Sequence, residues 1–274
     1  MRSHRLAIKL ITSPWNLDAL RARTIIGRLM GVLLKNEQPN GNGEIETDTD
    51  EMQIVAGVAV IPVCGAVLIN VPEWMTECLD ICDANEIQEN VEQALSDQNV
   101  QMIVFNVDSP GGLAIAGDKL FDVIEAANQR KPCYGFCADG CDMASAAYEA
   151  VAACRELRAG YYADGIGCIG SYLAYLDDTE FWAQMGITFE VFRSGELKGI
   201  GESVPLTQAQ RDYLQGLVDQ FGANIRRNVS KYRTEISPDD MQGQWFDGKT
   251  AAQRGFIAAC EKDLASAVRA FQGF

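Results

Sequence analysis

The stretch that most restricts the fold is "VQMIVFNVDSPGGLAIAGDKLFDVIEAANQ", residues 100–129. A β-branched apolar run of strand length ends at Ser-Pro-Gly-Gly and passes directly into apolar residues at helical spacing. A strand this apolar is buried on both faces, and the helix that follows must return over it, as in a parallel sheet. The alternation recurs. "IVAGVAVIPVCG" reads as a strand, "ANEIQENVEQALSDQ" as a helix, "KPCYGFCAD" as a strand and "MASAAYEAVAAC" as a helix. "GITFEVFRSG" alternates as a strand does, and "LTQAQRDYLQGLVDQFGANIRRNVSKY" is a long amphipathic helix opened by a Thr cap. The expected class is therefore α/β with a largely parallel sheet.

Ahead of this body the chain changes character. Residues 1–35 are basic and amphipathic, and "NEQPNGNGEIETDTDE", 36–51, is rich in Gly, Asn and acids with little that could pack. The expected organisation is a basic arm plus acidic linker over 1–51 and one folded domain over 52–274. A formal net charge of -15 opposes nucleic acid as the main partner, because phosphate binding needs clustered Lys and Arg. "TIIGRLMGVLL" is too short and too charged to cross a bilayer, and Lys9 interrupts the apolar part of "MRSHRLAIKLIT", so neither a transmembrane segment nor an export signal is expected. The nine cysteines are odd in number and sit in apolar segments, as free thiols of a reducing, cytoplasmic compartment do. "CYGFCADGC" spaces three of them four apart, but without CxxC pairs it reads as structural packing, and no metal or cofactor is expected.

Two places carry candidate chemistry. In "VDSPGG" the paired glycines Gly111 and Gly112 let a ligand approach the backbone and present N–H groups to an oxyanion; the same residues also suit a tight turn with nothing bound. In "MASAAY", Ser145 stands at a strand-to-helix junction, where ligands of open α/β folds bind, among small neighbours that admit a substrate backbone. The Ala146 N–H is a natural second oxyanion donor. A small helix residue without chemical role is the competing reading of Ser145.

What takes the serine's proton decides the mechanism. The sole histidine, His4, lies in the basic arm, so a Ser-His-Asp triad would need that arm to fold back or a partner to supply the imidazole. The remaining common base is lysine. An exposed lysine is neutral in only about one molecule in 2,500 at pH 7, so it must be sheltered to serve. Lys198 in "FRSGELKGIGE" fits best, between glycines and after an expected strand, with a solvated loop lysine as the alternative. Lys119, Lys131, Lys231 and Lys249 lie on amphipathic helices or at turn edges, where charge is ordinary.

In order, "DSPGG", "MASAAY", "GCIGSY", "SGELKGIGESVPLTQAQRDYLQGLVD" and "FDGKTAAQRGFI" resemble the signal peptide peptidase A family of serine peptidases, over roughly residues 55–262. The resemblance implies a caseinolytic protease/crotonase-like spiral of strand-strand-helix units, assembly into homo-oligomers, Ser145 as nucleophile and Lys198 as general base. It places oxyanion donors at Gly111 or Gly112 and at Ala146. "SAAY" in place of "SGGY", and "ITSPWNL" near the N-terminus, are most similar to the phage head maturation branch. That branch implies capsid and scaffold proteins as substrates, in the host cytoplasm or the prohead. A signal-peptide-peptidase-like protease that degrades peptides, a crotonase-like acyl-CoA enzyme and a catalytically silent head component are the alternatives. One position departs from the family: Cys168 in "GCIG" stands where a lysine-orienting serine is usual, so Ser171 or Ser194 is a candidate substitute.

Overall fold

The computed structural model describes residues 15–17, 51–72, 75–76 and 79–273. Expectations about the rest of the arm and linker, His4 and Cys78 lie outside the described residues. The chain winds as repeated units in which a long strand, a short strand and a helix follow one another. The long strands β3 (Val58–Cys64), β6 (Met102–Asp108), β8 (Cys133–Cys137) and β10 (Glu156–Ala159) run parallel in one sheet. That sheet is flanked by β2 (Gln53–Val55) and β13 (Ala259–Cys260), in the order β13-β10-β8-β6-β3-β2. The short strands belong to two smaller sheets. One has the order β1 (Trp15–Leu17), β7 (Gly111–Leu113), β4 (Ala66–Leu68), β5 (Ile81–Asp83). The other has the order β12 (Trp245–Phe246), β11 (Gly165–Gly167), β9 (Asp142–Ala144). Helices α1 (Ala84–Ser96), α2 (Ala114–Asn128) and α3 (Ser145–Val151) close three successive units. This is the spiral and the largely parallel sheet that the sequence motifs imply.

Apolar burial explains the order. Ile61, Ile103, Phe105, Leu120 and Ile124 are each fully buried, and they belong to one core cluster between the sheet and its helices. The expected strand over residues 54–65 is a hairpin, not a single strand: the chain reverses at Ala56 and Gly57, both at positive φ. Two-residue hairpin turns need that conformation, and an alanine gives no hint that it will adopt it. "MASAAY" also divides, with Met143 and Ala144 in β9 and the helix beginning at Ser145. "GITFEVFRSG" forms no strand. Its alternation is present, but no neighbouring strand meets it, and Phe189 and Phe192 are left exposed.

After β11 the chain makes a long excursion over residues 168–207 whose one helix is the short α4 (Thr179–Gln184). It returns through α5 (Gln208–Tyr232), whose Thr207 cap and Gln210 form a reciprocal capping box. Gly222, Ile225, Asn228 and Val229 form its buried stripe, whereas most of its first half is exposed. Helices α6 (Gly248–Gln253) and α7 (Leu264–Phe271) complete the fold, each opened by an Asp cap. Among the described residues no helix is long and apolar enough to cross a membrane, and no cluster of His, Cys, Asp and Glu could hold a metal ion.

A polar clasp holds α5 against the helix that starts at Ser145. The Asn228 amide donates to Glu149 Oε1 at 2.8 Å and to Asp118 Oδ1 at 3.1 Å, and Asn224 donates to Asp118 Oδ2 at 3.1 Å. Glu149 is 1% exposed, so an unmatched carboxylate oxygen there is costly. Asn228→Ala should lower unfolding free energy by about 1–3 kcal/mol, and the more peripheral Asn224→Ala by less. Denaturant melts of both variants check this; equal, negligible losses would show that the clasp does not hold the helices together.

Candidate active site

Two adjacent units bring the glycine turn to the serine. At the end of β6, the Ser109 N–H donates to the Asp142 carbonyl at 2.7 Å, and the Ala144 N–H donates back to the Ser109 carbonyl at 3.1 Å. Asp142 N–H also donates to Asp108 Oδ1 at 3.0 Å. Ser109 is wholly buried. These bonds fasten the start of "SPGG" to the strand that delivers Ser145, so residues 109–112 and 145 share one edge of the fold.

Ser145 is the first residue of α3 and has φ +54°. A non-glycine residue in that region costs on the order of 1–3 kcal/mol and persists only where its surroundings impose it. The strand register on one side and the packed helix on the other impose it here. Ala146 and Ala147 are fully buried, and a Cβ placed on Gly117 of α2 would meet Ala146 Cβ at 3.0 Å and Glu149 Oε2 at 2.7 Å. Only small residues allow α2 and α3 this approach. Ser145 itself is 0% exposed, and its Oγ has no hydrogen-bond partner. A buried, unpartnered hydroxyl on a strained turn is an expensive arrangement, and such arrangements gather at functional sites.

The expected oxyanion residues lie beside it and differ from each other. Gly111 adopts φ +103°, and its N–H donates to Ser109 Oγ at 3.2 Å. Gly112 pairs with Val67 of β4, and a Cβ there would fall 1.9 Å from the Val67 carbonyl oxygen, so no larger residue fits. Ala146 occupies the first turn of α3, where helix geometry leaves N–H groups without an intrahelical acceptor.

Cys168 is close to the serine by register. Gly167 pairs with Ala144 in parallel strands, so Cys168 and Ser145 are the residues that follow a paired position in neighbouring strands. Both turn through positive φ, +53° and +54°. The Cys168 N–H donates to the Gln244 carbonyl at 2.7 Å, which ties this turn to the segment before β12.

Lys198 is exposed within the 168–207 excursion and lines an open groove with Phe189, Phe192, Ser194 and Glu202. The Ser145 hydroxyl is not hydrogen-bonded to it. Ser194 is exposed on the same groove, and Ser171 is half-buried nearer the strand end. The excursion is tied to α5 by the Gln210 side chain, which donates to the Glu196 carbonyl at 3.1 Å. It also presents Leu176 at 82% and Phe192 at 90% exposure.

No disulfide forms among the described cysteines. Burial pushes Cys133 up to about 12 and Cys137 and Cys154 well above the ordinary thiol range, so all three stay neutral. Sequence reasoning missed three contributors. Ser109 Oγ holds the Gly111 amide, Glu149 and Asn228 brace α3, and β1 pairs along the glycine strand. The last has a partial signal in the "ITSPWNL" motif.

The fold has a solved counterpart. A ClpP1 mutant from Listeria monocytogenes superimposes with a TM-score of 0.50, covering 76% of this chain and 93% of its own at 11% identity. Among sequences, the chain is 28% identical over 207 residues to the head-tail preconnector protein GP5 of Enterobacteria phage P21, covering 74% of this chain and 40% of that protein. It is 24% identical over 255 residues to the capsid assembly protease C of Escherichia phage lambda, covering 92% of this chain and 55% of that protein. The chain thus spans about half the length of these relatives. Residues 128–269, which include both Ser145 and Lys198, match the model of peptidase family S49, and the chain belongs to that family.

Proposed function

We propose that the chain is a serine endopeptidase with a Ser145/Lys198 dyad that acts on capsid and scaffold proteins during phage or prophage head maturation. The observation that carries this reading is the Ser145 hydroxyl, held on a strained turn without a partner and beside the glycine strand. Neutral Lys198 takes the hydroxyl proton as Oγ attacks the scissile carbonyl carbon. The Ala146 N–H and an amide of the Gly111–Gly112 turn receive the oxyanion, the protonated amine then passes its proton to the leaving nitrogen, and water releases the acyl group. The similarity to two phage head proteins supports the substrate class.

The exposed position of Lys198 fits a dyad that assembles with the oligomer. Covering Leu176, Phe181, Met185 and Phe192 with a neighbouring copy buries the excursion, removes water from the amine and brings it to a serine. Docking of 168–207 and formation of the base are then one event. A catalytically silent head component is the second reading, favoured by an exposed Lys198 that is not bonded to Ser145 in the single chain and by Cys168 in the place of the family serine.

Ser145→Ala should abolish labelling by a fluorophosphonate probe and lower peptide turnover by at least about a thousandfold. Labelling that survives this change would place the nucleophile elsewhere. Lys198→Ala should lose turnover to a similar extent with an unchanged melting temperature, and new termini on capsid or scaffold proteins, read by mass spectrometry, should vanish with it. Intact processing in that variant would eliminate the lysine. Wild-type turnover should climb with pH, because only the uncharged amine accepts a proton, and specific activity should rise with protein concentration as the oligomer forms. A flat pH profile where chemistry limits the rate, or activity of a stable monomer equal to that of the assembly, would contradict the assembled dyad.

A further inference from the structure

The strand β1 occupies an informative place. Trp15, Asn16 and Leu17 pair antiparallel with Leu113, Gly112 and Gly111 respectively. The other edge of β7 is already taken by β4, through Val67 and Gly112. β1 also lies against α3, the helix that opens with Ser145. Without it, β7 would be an edge strand of unpaired amides and carbonyls beside the nucleophile, which is the kind of edge on which extended peptides add as a new strand. A substrate whose carbonyl must reach both Ser145 Oγ and the neighbouring amides can pair with this edge. In the conformation observed, the edge is filled by the chain itself and Ser145 is wholly buried.

We propose that Trp15–Leu17 is a tethered competitor, occupying in cis the strand position of a peptide substrate, so that a substrate must displace it before the serine is reached. The proposal rests on the peptidase reading for its consequence, but strand occupancy itself is measurable without catalysis. A tethered competitor leaves turnover of the bound complex unchanged and weakens apparent binding by the fraction of time the edge is free. If β1 is docked nine-tenths of the time, apparent affinity is reduced about tenfold.

Successive residues of a strand point their N–H groups to opposite sides, so the double change Asn16→Pro with Leu17→Pro removes a ladder donor whichever of the two faces β7. β1 is an outer strand, and the domain core lies elsewhere. Binding of a fluorescent peptide with the sequence of residues 12–20 is measured by anisotropy to the full chain and to the double variant, both carrying Ser145→Ala to prevent turnover. About tenfold tighter binding to the double variant is expected. Equal affinity, or no binding to the double variant, overturns the proposal. In chains with Ser145 intact, the double variant should show a lower KM for a peptide substrate at unchanged kcat, and an unchanged KM likewise overturns it. Peptide binding as expected, but without fluorophosphonate labelling of Ser145 in either chain, would leave strand occupancy standing and remove the peptidase reading alone.

Discussion

The seam between Ser109 and residues 142–144 is the constraint on which the site depends. Two hydrogen bonds between backbone groups join the end of one spiral unit to the corresponding part of the next. In a fold made of similar units, function requires that two particular turns meet, and generic sheet pairing does not ensure it. The seam aligns the glycine strand with the serine turn and places both at one edge. Ser109 contributes twice, through its backbone to β9 and through its hydroxyl to the Gly111 amide. The strain at Ser145 is affordable because the seam on one side and the close α2–α3 contact on the other leave the turn no relaxed alternative.

Small residues make that contact possible. Gly117, Ala146 and Ala147 replace the larger side chains that a helix interface normally carries, and the polar clasp of Glu149, Asn228 and Asp118 supplies specificity where apolar interlocking is thin. Helix α5 therefore has two functions. Its second half braces the helix that opens with Ser145, and its exposed first half holds the excursion that carries Lys198, through Gln210 and Glu196.

Much of this was legible in the sequence, for identifiable reasons. Residues 100–129 declared a strand, a turn and a helix because each pattern is local and strong. Ser145 was marked by its strand-to-helix junction, and it does open α3 on a strained turn, whereas Lys198, marked by its motif, lies exposed. The turn at Ala56 was not legible, since nothing about alanine predicts positive φ. Residues 186–195 have strand alternation, yet a strand exists only where another pairs with it, and that information is not local. Asn228 reads as one more polar position on an amphipathic helix, and only its contacts, some 80 to 110 residues away in the chain, reveal it as a brace. The pairing of Trp15–Leu17 along the glycine strand is equally non-local.

In the single chain the Ser145 hydroxyl is not hydrogen-bonded to the exposed Lys198, so the proposed dyad has to form on assembly. The most direct measurement is an experimental structure of the assembled oligomer, read for the distance from Ser145 Oγ to the nearest Lys198 Nζ, whether of the same chain or of a neighbour. A sheltered amine within about 2.6–3.2 Å of the hydroxyl is the expected result. An assembled particle in which every Lys198 remains in water and out of reach of every Ser145 would contradict it.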